Sequence, residues 1–180
     1  MALDGFRLQN DPFVAFAALT VGMVEMALGN DDAARAHLTM VDELGGRFDN
    51  VWLRSSARAQ LASLDVRAGR LDEARALLVQ SVDASDDAEL STLTVTFSLV
   101  IAAQLALADG NARHAAMALG AADGLRRRAG LKAWPSTRRR EAGLVTRVEQ
   151  AADTSDFEDA HAAGAQLSHR EAVALLRGGA

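Results

Sequence analysis

The stretch Val66-Arg67-Ala68-Gly69-Arg70-Leu71-Asp72-Glu73-Ala74 decides the fold, because its glycine-centred pattern occurs three times in the chain. The other two copies span residues 26–34 and 107–115, so that the central glycines at positions 29, 69 and 110 are almost evenly spaced. Alanine follows each glycine by five positions and leucine by nine, while glycine or alanine precedes it by seven. Self-similarity at a nearly fixed period of this length is typical of helical-repeat proteins.

Each copy of the pattern predicts a turn between two antiparallel helices. Glycine adopts the left-handed conformation that ends a helix, and an Asn or Asp near it can cap the helix that follows. Alanine five positions later lets the two helices approach closely, and the apolar positions on either side face one another and the neighbouring hairpin. The sequence therefore predicts a stack of helix hairpins.

The predicted elements are all helices, since no alternation of Val, Ile and Thr is long enough for a strand. They span residues 12–28, 31–44, 50–68, 71–84, 87–108, 112–129 and 136–152. Start signals are Asn50 and the capping-box spacings Asp86 with Glu89, Ser155 with Glu158, and Ser168 with Glu171, the last two opening short helices. We expect one all-α domain over 1–180, with repeats at 12–49, 50–86 and 87–130 and a C-terminal helical cap at 134–180.

The composition excludes several classes of function. The 180 residues include 38 alanines, which favour helix, and no cysteine or tyrosine. The lack of cysteine rules out disulfides, thiolate metal sites and cysteine nucleophiles, and it fits a reducing cytoplasm. The apolar stretches 12–28 and 93–108 are interrupted by polar residues at helical intervals and predict no membrane span, and residues 1–7 lack the pattern of a signal peptide.

Motifs of catalysis and metal binding are missing from the sequence. His37, His114, His161 and His169 include no pair at the three- or four-residue spacing that places two ligands on one helix face. No Gly-x-Ser-x-Gly nucleophile motif occurs, and Lys132 does not lie in a phosphate-binding Gly-Lys-Ser/Thr sequence. We therefore expect a protein that is not an enzyme, with no catalytic residue, metal or cofactor.

The small-residue and alanine positions of the pattern resemble the tetratricopeptide repeat, with a period longer than the usual ~34 residues. Glu25 and Asp65 stand where that family has Tyr. The resemblance implies a superhelical array whose first helices line a concave groove for a protein or peptide partner. The implied groove residues are Phe16, Leu19, Met23 and Met26 in the first repeat, Ser56, Ser63 and Arg67 in the second, and Phe97, Val100, Gln104 and Leu107 in the third.

The implied groove is apolar at its ends and polar in the middle. Met and Phe side chains adapt to a partner helix or peptide, and Arg67 and Gln104 offer orienting hydrogen bonds. The alternative is that these residues pack against upstream repeats or against a second copy of the chain, which admits a homodimer.

Two short motifs lie between residue 115 and the C-terminus. Leu119-Gly120-Ala121-Ala122 with Leu125-Arg126 is followed further on by Gly164, Leu167-Ser168 and Glu171-Ala172-Val173. This string resembles the end of the helical-repeat region in large bacterial signalling ATPases and in LuxR-type, maltose-activator-like transcription regulators, which are common in actinobacteria. The resemblance implies a regulatory, signal-transducing arm that contacts a protein, a ligand or an adjoining NTPase or regulator domain.

The segment 167–171 also resembles the opening helix of a LuxR-type DNA-binding domain. The chain ends at Ala180, which leaves no room for a recognition helix. We therefore interpret this segment as part of the cap.

Positive charge is concentrated between residues 112 and 147, which hold nine basic and two acidic residues in a chain of net charge −5. The candidate anion patch consists of Arg126, Arg127, Arg128, Arg138, Arg139 and Arg140. Such a patch attracts nucleic-acid phosphates, and nucleic-acid binding is the alternative function. A solvated face that complements the acidic N-terminal half is the simpler interpretation, because Trp134 alone is interleaved for stacking.

Overall fold

The computed structural model describes residues 12–83, 91–132 and 135–178, and within these ranges it contains nine helices and no strand. The helices are α1 (Pro12–Leu28), α2 (Asp31–Arg47), α3 (Val51–Arg67), α4 (Leu71–Asp83), α5 (Thr92–Ala108), α6 (Ala112–Arg128), α7 (Pro135–Ala151), α8 (Thr154–Gln166) and α9 (His169–Gly178). The prediction of an all-α fold is confirmed.

The turns that join α1 to α2, α3 to α4 and α5 to α6 are built on glycine, as predicted. Gly29, Gly69 and Gly110 have φ values of +84°, +74° and +76°. In each turn the residue after the glycine donates its backbone N–H to the carbonyl five residues earlier, at 2.8–2.9 Å. These bonds satisfy carbonyls at the helix end, and glycine adopts the required left-handed backbone without the strain of a Cβ atom.

The small residues predicted to bring paired helices together are buried between them. Ala34, Ala74 and Ala115 are completely inaccessible to solvent, and the leucines four positions after each are buried as well. A Cβ atom on Gly22 would lie 3.0 Å from Leu38 Cγ, which is tighter than an ordinary van der Waals contact. Substituting larger residues at these positions would therefore push the helices of a pair apart.

One predicted start in the repeat region is wrong. The third pair begins with α5 at Thr92 instead of residue 87, because Ser91 has an extended backbone and its hydroxyl accepts a hydrogen bond from the Thr94 N–H at 3.1 Å. The capping box predicted from Asp86 and Glu89 lies outside the described residues.

The two capping boxes predicted near the C-terminus have opposite outcomes. The box at Ser155 is wrong, because α8 begins one residue earlier and Asp153 is its N-cap residue. The box at Ser168 is confirmed: Ser168 N–H donates to Glu171 Oε2 at 2.8 Å, and Glu171 N–H donates to Ser168 Oγ at 3.3 Å.

The first helices of successive pairs form one row, in which α1 contacts α3, α3 contacts α5, and α5 contacts α7. The helix α8 packs on α6, and α9 contacts α4, α5 and α6. The second helices begin at residues 31, 71, 112 and 154. The start of α8 therefore keeps nearly the spacing of the earlier second helices, although the turn before it has no glycine and α8 makes few contacts with α7.

The helices α6 and α8 touch through their backbones. A Cβ atom on Gly120 would lie 2.8 Å from the His161 carbonyl carbon, and one on Gly124 would lie 2.8 Å from that of Ala165. A Cβ atom on Gly164 would collide in the same way with the carbonyl of Met117. Because residue 120 meets 161 and residue 124 meets 165, the two helices run in the same direction.

The helix α5 lies in the middle of the molecule and positions the candidate site. It is surrounded by α3, α4, α6, α7 and α9, and most residues from Thr94 to Ala106 are buried. Its C-terminal turn is the exception, because Gln104 and Leu107 are half-buried and Ala108 is exposed. The surface that α5 offers therefore lies at this end and at its first turn, where Leu93 is exposed.

Candidate functional site

A shallow pocket of about 420 Å³ lies where the C-terminal ends of α3 and α5 approach α7. Its lining residues are Val66, Arg67, Leu71, Gln104, Leu107, Ala108 and Arg147. Three of them, Arg67, Gln104 and Leu107, come from the groove implied by the repeat resemblance. The structure therefore brings the polar middle of that groove together with a residue of α7.

Arg67 is fixed by contacts with the first helix pair. One guanidinium nitrogen donates to the Met26 carbonyl at 3.1 Å, and another lies 2.9 Å from Asp31 Oδ1. Both contacts cross from the end of α3 to the turn between α1 and α2. They orient the guanidinium group and partly neutralise its charge, so Arg67 forms a polar wall of the pocket.

Arg147 is the second guanidinium group of the pocket. It is exposed, and it forms no hydrogen bond or ion pair with any of the residues that the structure describes. Nearby Gln104 contributes an amide that both donates and accepts hydrogen bonds. The pocket therefore has a surplus of positive charge and of hydrogen-bond donors.

The remaining wall of the pocket is apolar, formed by Val66, Leu71, Leu107 and Ala108. An arginine beside an apolar surface is suited to a carboxylate that carries a hydrophobic neighbour, because the planar guanidinium group binds both carboxylate oxygens. The described lining includes no Asp, Glu, His or Ser, and so no group that would exchange a proton near neutral pH.

The other implied groove residues divide between the surface and the core. Phe16 and Met23 are 41% and 49% exposed on α1, and the Phe16 ring stacks on Trp52 with 5.4 Å between ring centroids. Phe97 and Ser56 are half-buried. The structure does not bring the rest to the surface: Leu19, Met26, Ser63 and Val100 are all less than 9% exposed and pack beneath it.

Some arginines of the candidate anion patch form hydrogen bonds within the protein. Arg126 forms two hydrogen bonds of 2.7 Å with the Glu141 carboxylate, and Arg128 donates to the backbone carbonyls of Ala165 and Leu167. These two side chains fasten α6 to α7 and to the end of α8. The exposed members with no ion pair to a described residue are Arg127, Arg138 and Arg139, while the side chain of Arg140 lies outside the described residues.

Sequence reasoning places Arg147 in the basic segment and misses its position in the pocket. The signal lies in the register of the first helices: Ser63, Gln104 and Arg147 are each the thirteenth residue of α3, α5 and α7.

The four histidines do not assemble a site in the structure. Burial lowers the pKa of His114, because the protein interior disfavours the charged imidazolium, and its Nε2 atom forms no hydrogen bond with a described residue. His161 stacks on Phe157 with 5.6 Å between ring centroids, and its Nε2 lies 3.2 Å from Asp123 Oδ2. No group of three or more His, Asp or Glu side chains in the described ranges is placed to hold a metal ion.

The observations together define an all-α protein of packed helices with a basic, apolar-walled pocket. In the described part of the chain, every helix is too short or too polar to cross a membrane. Comparisons with models of protein families, with curated proteins and with solved structures find no match.

Proposed function

We propose that the chain is a non-catalytic interaction module, a tetratricopeptide-like stack of helix pairs that binds an acidic segment of a protein or peptide partner. The observation that carries the proposal is a pocket with an apolar side that Arg67, Gln104 and Arg147 line together, in which the Arg147 guanidinium pairs with none of the described residues. The sequence resemblance extends the proposal to a regulatory arm of a bacterial signalling ATPase or LuxR-type transcription regulator.

The repeat part of the proposal is supported by helix register. The starts of the second helices, at residues 31, 71, 112 and 154, keep nearly the spacing of the glycine turns. The contacts of residue 120 with 161 and of residue 124 with 165 repeat this spacing in space, since each joins positions one period apart. The parallel packing of α6 and α8 at one period is what a stack of helix pairs requires of neighbouring second helices.

The binding part of the proposal is supported by the size and charge of the pocket. Ligand sites in proteins occupy roughly 300–1,000 Å³, and the pocket falls within that range. A hydrogen bond to a charged group contributes about 1.5–3 kcal/mol when its partner would otherwise be water. A peptide carboxylate on Arg147 with a neighbouring aliphatic side chain on Leu71 or Leu107 would use both features.

Selection from a displayed library of random peptides tests the proposal. We expect the wild-type protein to enrich peptides that carry Asp, Glu or a free C-terminus beside an apolar residue. A selected peptide, labelled for fluorescence anisotropy, should bind Arg147→Glu at least about tenfold more weakly, which corresponds to the loss of about 1.4 kcal/mol.

Arg138→Glu is the matched control, because residue 138 lies nine positions earlier on α7 and therefore on the opposite side of that helix. It makes the same change of charge, and it should leave binding of the peptide unchanged. Failure to enrich any peptide, or equal binding by wild type and Arg147→Glu, would overturn the proposed function.

A further inference from the structure

Four positive side chains lie around the turn between α6 and α7 and form no hydrogen bond or ion pair with a described residue. We call them the turn cluster; its members are Arg127, Lys132, Arg138 and Arg139, and all are exposed. Arg127 lies in the last turn of α6, Lys132 follows the turn, and the other two lie near the start of α7. The sequence has no Asp or Glu from residue 124 to residue 140, so positive charge is concentrated here in a chain of net charge −5.

Many arginines elsewhere in the protein are neutralised by its own carboxylates. Those that lie within 4 Å of an aspartate oxygen include Arg35, Arg58, Arg67, Arg70, Arg75 and Arg113. The turn cluster forms no such pair with the acidic residues that the structure describes, in the N-terminal half or elsewhere. The contacts therefore do not support a face that complements the acidic N-terminal half, and these four side chains are open to a partner outside the chain.

The backbone beneath the turn cluster is held in place by the neighbouring arginines. Arg126 forms two hydrogen bonds of 2.7 Å with Glu141, which tie the last turn of α6 to α7. Arg128 donates to two backbone carbonyls at the end of α8, and Leu131 N–H donates to the Arg126 carbonyl at 2.9 Å. The cluster is therefore mounted on an ordered backbone, which lowers the entropic cost of binding a partner.

The position of Arg138 and Arg139 is electrostatically unfavourable in the protein alone. The N-terminal end of a helix carries a partial positive charge, and the first turn of α7 has no acidic residue to offset it. The two carboxylates that flank the turn are already engaged, because Glu141 is paired with an arginine of α6 and Asp123 lies 3.2 Å from His161 Nε2. A polyanion bound to the cluster would relieve the repulsion among its positive charges.

We propose that the turn cluster binds the phosphate backbone of nucleic acid without reading its sequence. Duplex DNA carries one negative charge per about 1.7 Å of its axis, so several phosphates come within reach of cations that lie around one turn. A peptide would need a run of consecutive acidic residues to match that density. The guanidinium groups suit phosphate because each can bind two of its oxygens, and such contacts carry no information about the base sequence.

Fluorescence anisotropy with a labelled duplex of about 20 base pairs tests the proposal, because each phosphate contact changes the slope of log affinity against log salt concentration by about −0.9. Four contacts predict a slope of about −3.6 for the wild type, so the affinity should fall about 150-fold between about 50 mM and about 200 mM NaCl. At the lower salt concentration we expect a dissociation constant on the order of 10 µM.

Alanine variants of the turn cluster test which side chains make the contacts. Arg139→Ala should make the slope shallower by about 0.9, and the double variant Arg138→Ala/Arg139→Ala by about 1.8. Both positions are exposed and alanine favours helix, so the circular dichroism of these variants should match that of the wild type.

Arg113→Ala is the matched control, because it removes the same charge from an exposed arginine about 21 Å before Arg127 along α6. Its ion pair with Asp156, at 3.8 Å, lies at the surface and contributes little to stability. The slope for this variant should equal that of the wild type.

Competition with poly-glutamate separates nucleic acid from an acidic protein partner. Unlabelled duplex DNA should displace the labelled duplex at a concentration of anionic groups at least about tenfold lower than poly-glutamate requires. Equal competition by the two polymers would overturn the assignment to nucleic acid.

Three further results would overturn the proposal: a wild type that does not bind the duplex at low salt, a double variant that keeps the wild-type slope, or equal losses of slope in Arg139→Ala and Arg113→Ala. None of these variants changes the pocket at Arg147, so nucleic-acid binding and the proposed function can each fail without the other.

Discussion

The contact between α6 and α8 makes a sharp prediction for Gly120→Ala. Alanine is the better helix former by about 1 kcal/mol, so in an open helix the substitution stabilises the protein. At residue 120 the added methyl carbon would lie 2.8 Å from the His161 carbonyl carbon and closer still to its oxygen, whereas an ordinary contact begins at 3.4 Å. The obstacle is backbone, so no side chain can rotate out of the way.

The magnitude follows from how far the helices must separate. The added carbon would lie 2.8 Å from the His161 carbonyl carbon, about 0.6 Å closer than the 3.4 Å of an ordinary van der Waals contact. The carbonyl oxygen is closer still, so the helices would have to separate by more than this amount. A gap of about 0.5–1 Å already forfeits a quarter to a half of the dispersion attraction across an interface. Overpacking a protein interior costs about 1–3 kcal/mol of stability, and the upper end applies here because the obstacle is backbone. After the gain of about 1 kcal/mol in helix propensity, the free energy of unfolding should fall by about 2 kcal/mol.

Gly143→Ala is the matched control, because an added Cβ atom in this helical position of α7 meets no atom within 4 Å. It should stabilise the protein by about 0.5–1 kcal/mol. Thermal unfolding followed by far-ultraviolet circular dichroism should show a Tm about 4–8 °C lower for Gly120→Ala and slightly higher for Gly143→Ala. If both variants shift Tm in the same direction by the same amount, the close packing of α6 on α8 is refuted.

Two further predictions concern single carboxylates. The buried Asp65 carboxylate lies 2.6 and 2.8 Å from two guanidinium nitrogens, one of them from Arg35. Asp65→Asn should therefore lower the free energy of unfolding, measured in urea, by about 1–3 kcal/mol. Asp72→Asn changes a fully exposed carboxylate and should leave the free energy of unfolding unchanged; equal effects of the two substitutions would contradict the role of burial. Hydrogen bonds from the Ser168 hydroxyl and N–H lower the pKa of Glu171 in the folded protein. The stabilisation of the folded state by these bonds is therefore complete above the usual carboxyl pKa. It is lost as the pH falls through the lowered pKa of Glu171 in the folded state. Between about pH 5 and about pH 3 the Tm of the wild type should therefore fall more steeply than that of Glu171→Gln, and parallel curves would show that the box does not couple to folding.

The helix pairs could be predicted from the sequence because their signals are local. Gly69 ends α3, Ala74 and Leu78 lie on the buried side of α4, and all three fall within ten positions of one another. Local signals of this kind specify a turn and the two faces that pack against each other. The same reasoning erred at α5, where Ser91 competes with earlier capping residues that have the same chemistry.

The exposure of the residues assigned to the implied groove could not be predicted in the same way. Mapping repeat positions placed Met26 and Met23 on one face, yet Met26 is 5% exposed and Met23 is 49% exposed. The two side chains are three residues apart on α1, and which of them meets α2 and α3 depends on how far the helix is rotated against its neighbours. That rotation is set by packing between helices, and the spacing of residues along one helix does not determine it.

The C-terminal motifs that carry the family resemblance consist of packing and capping residues. Gly120 and Gly164 allow backbone contact between α6 and α8, Arg126 is held by Glu141, and Ser168 caps α9. Because helix packing and capping explain the role of each of these residues, the motifs constrain the fold and give no information about a ligand. Under the proposed function, specificity for the partner is therefore expected at positions outside these motifs. Arg147 is such a position, which is why the charge reversal there, and not a change in the motifs, is the decisive test of function.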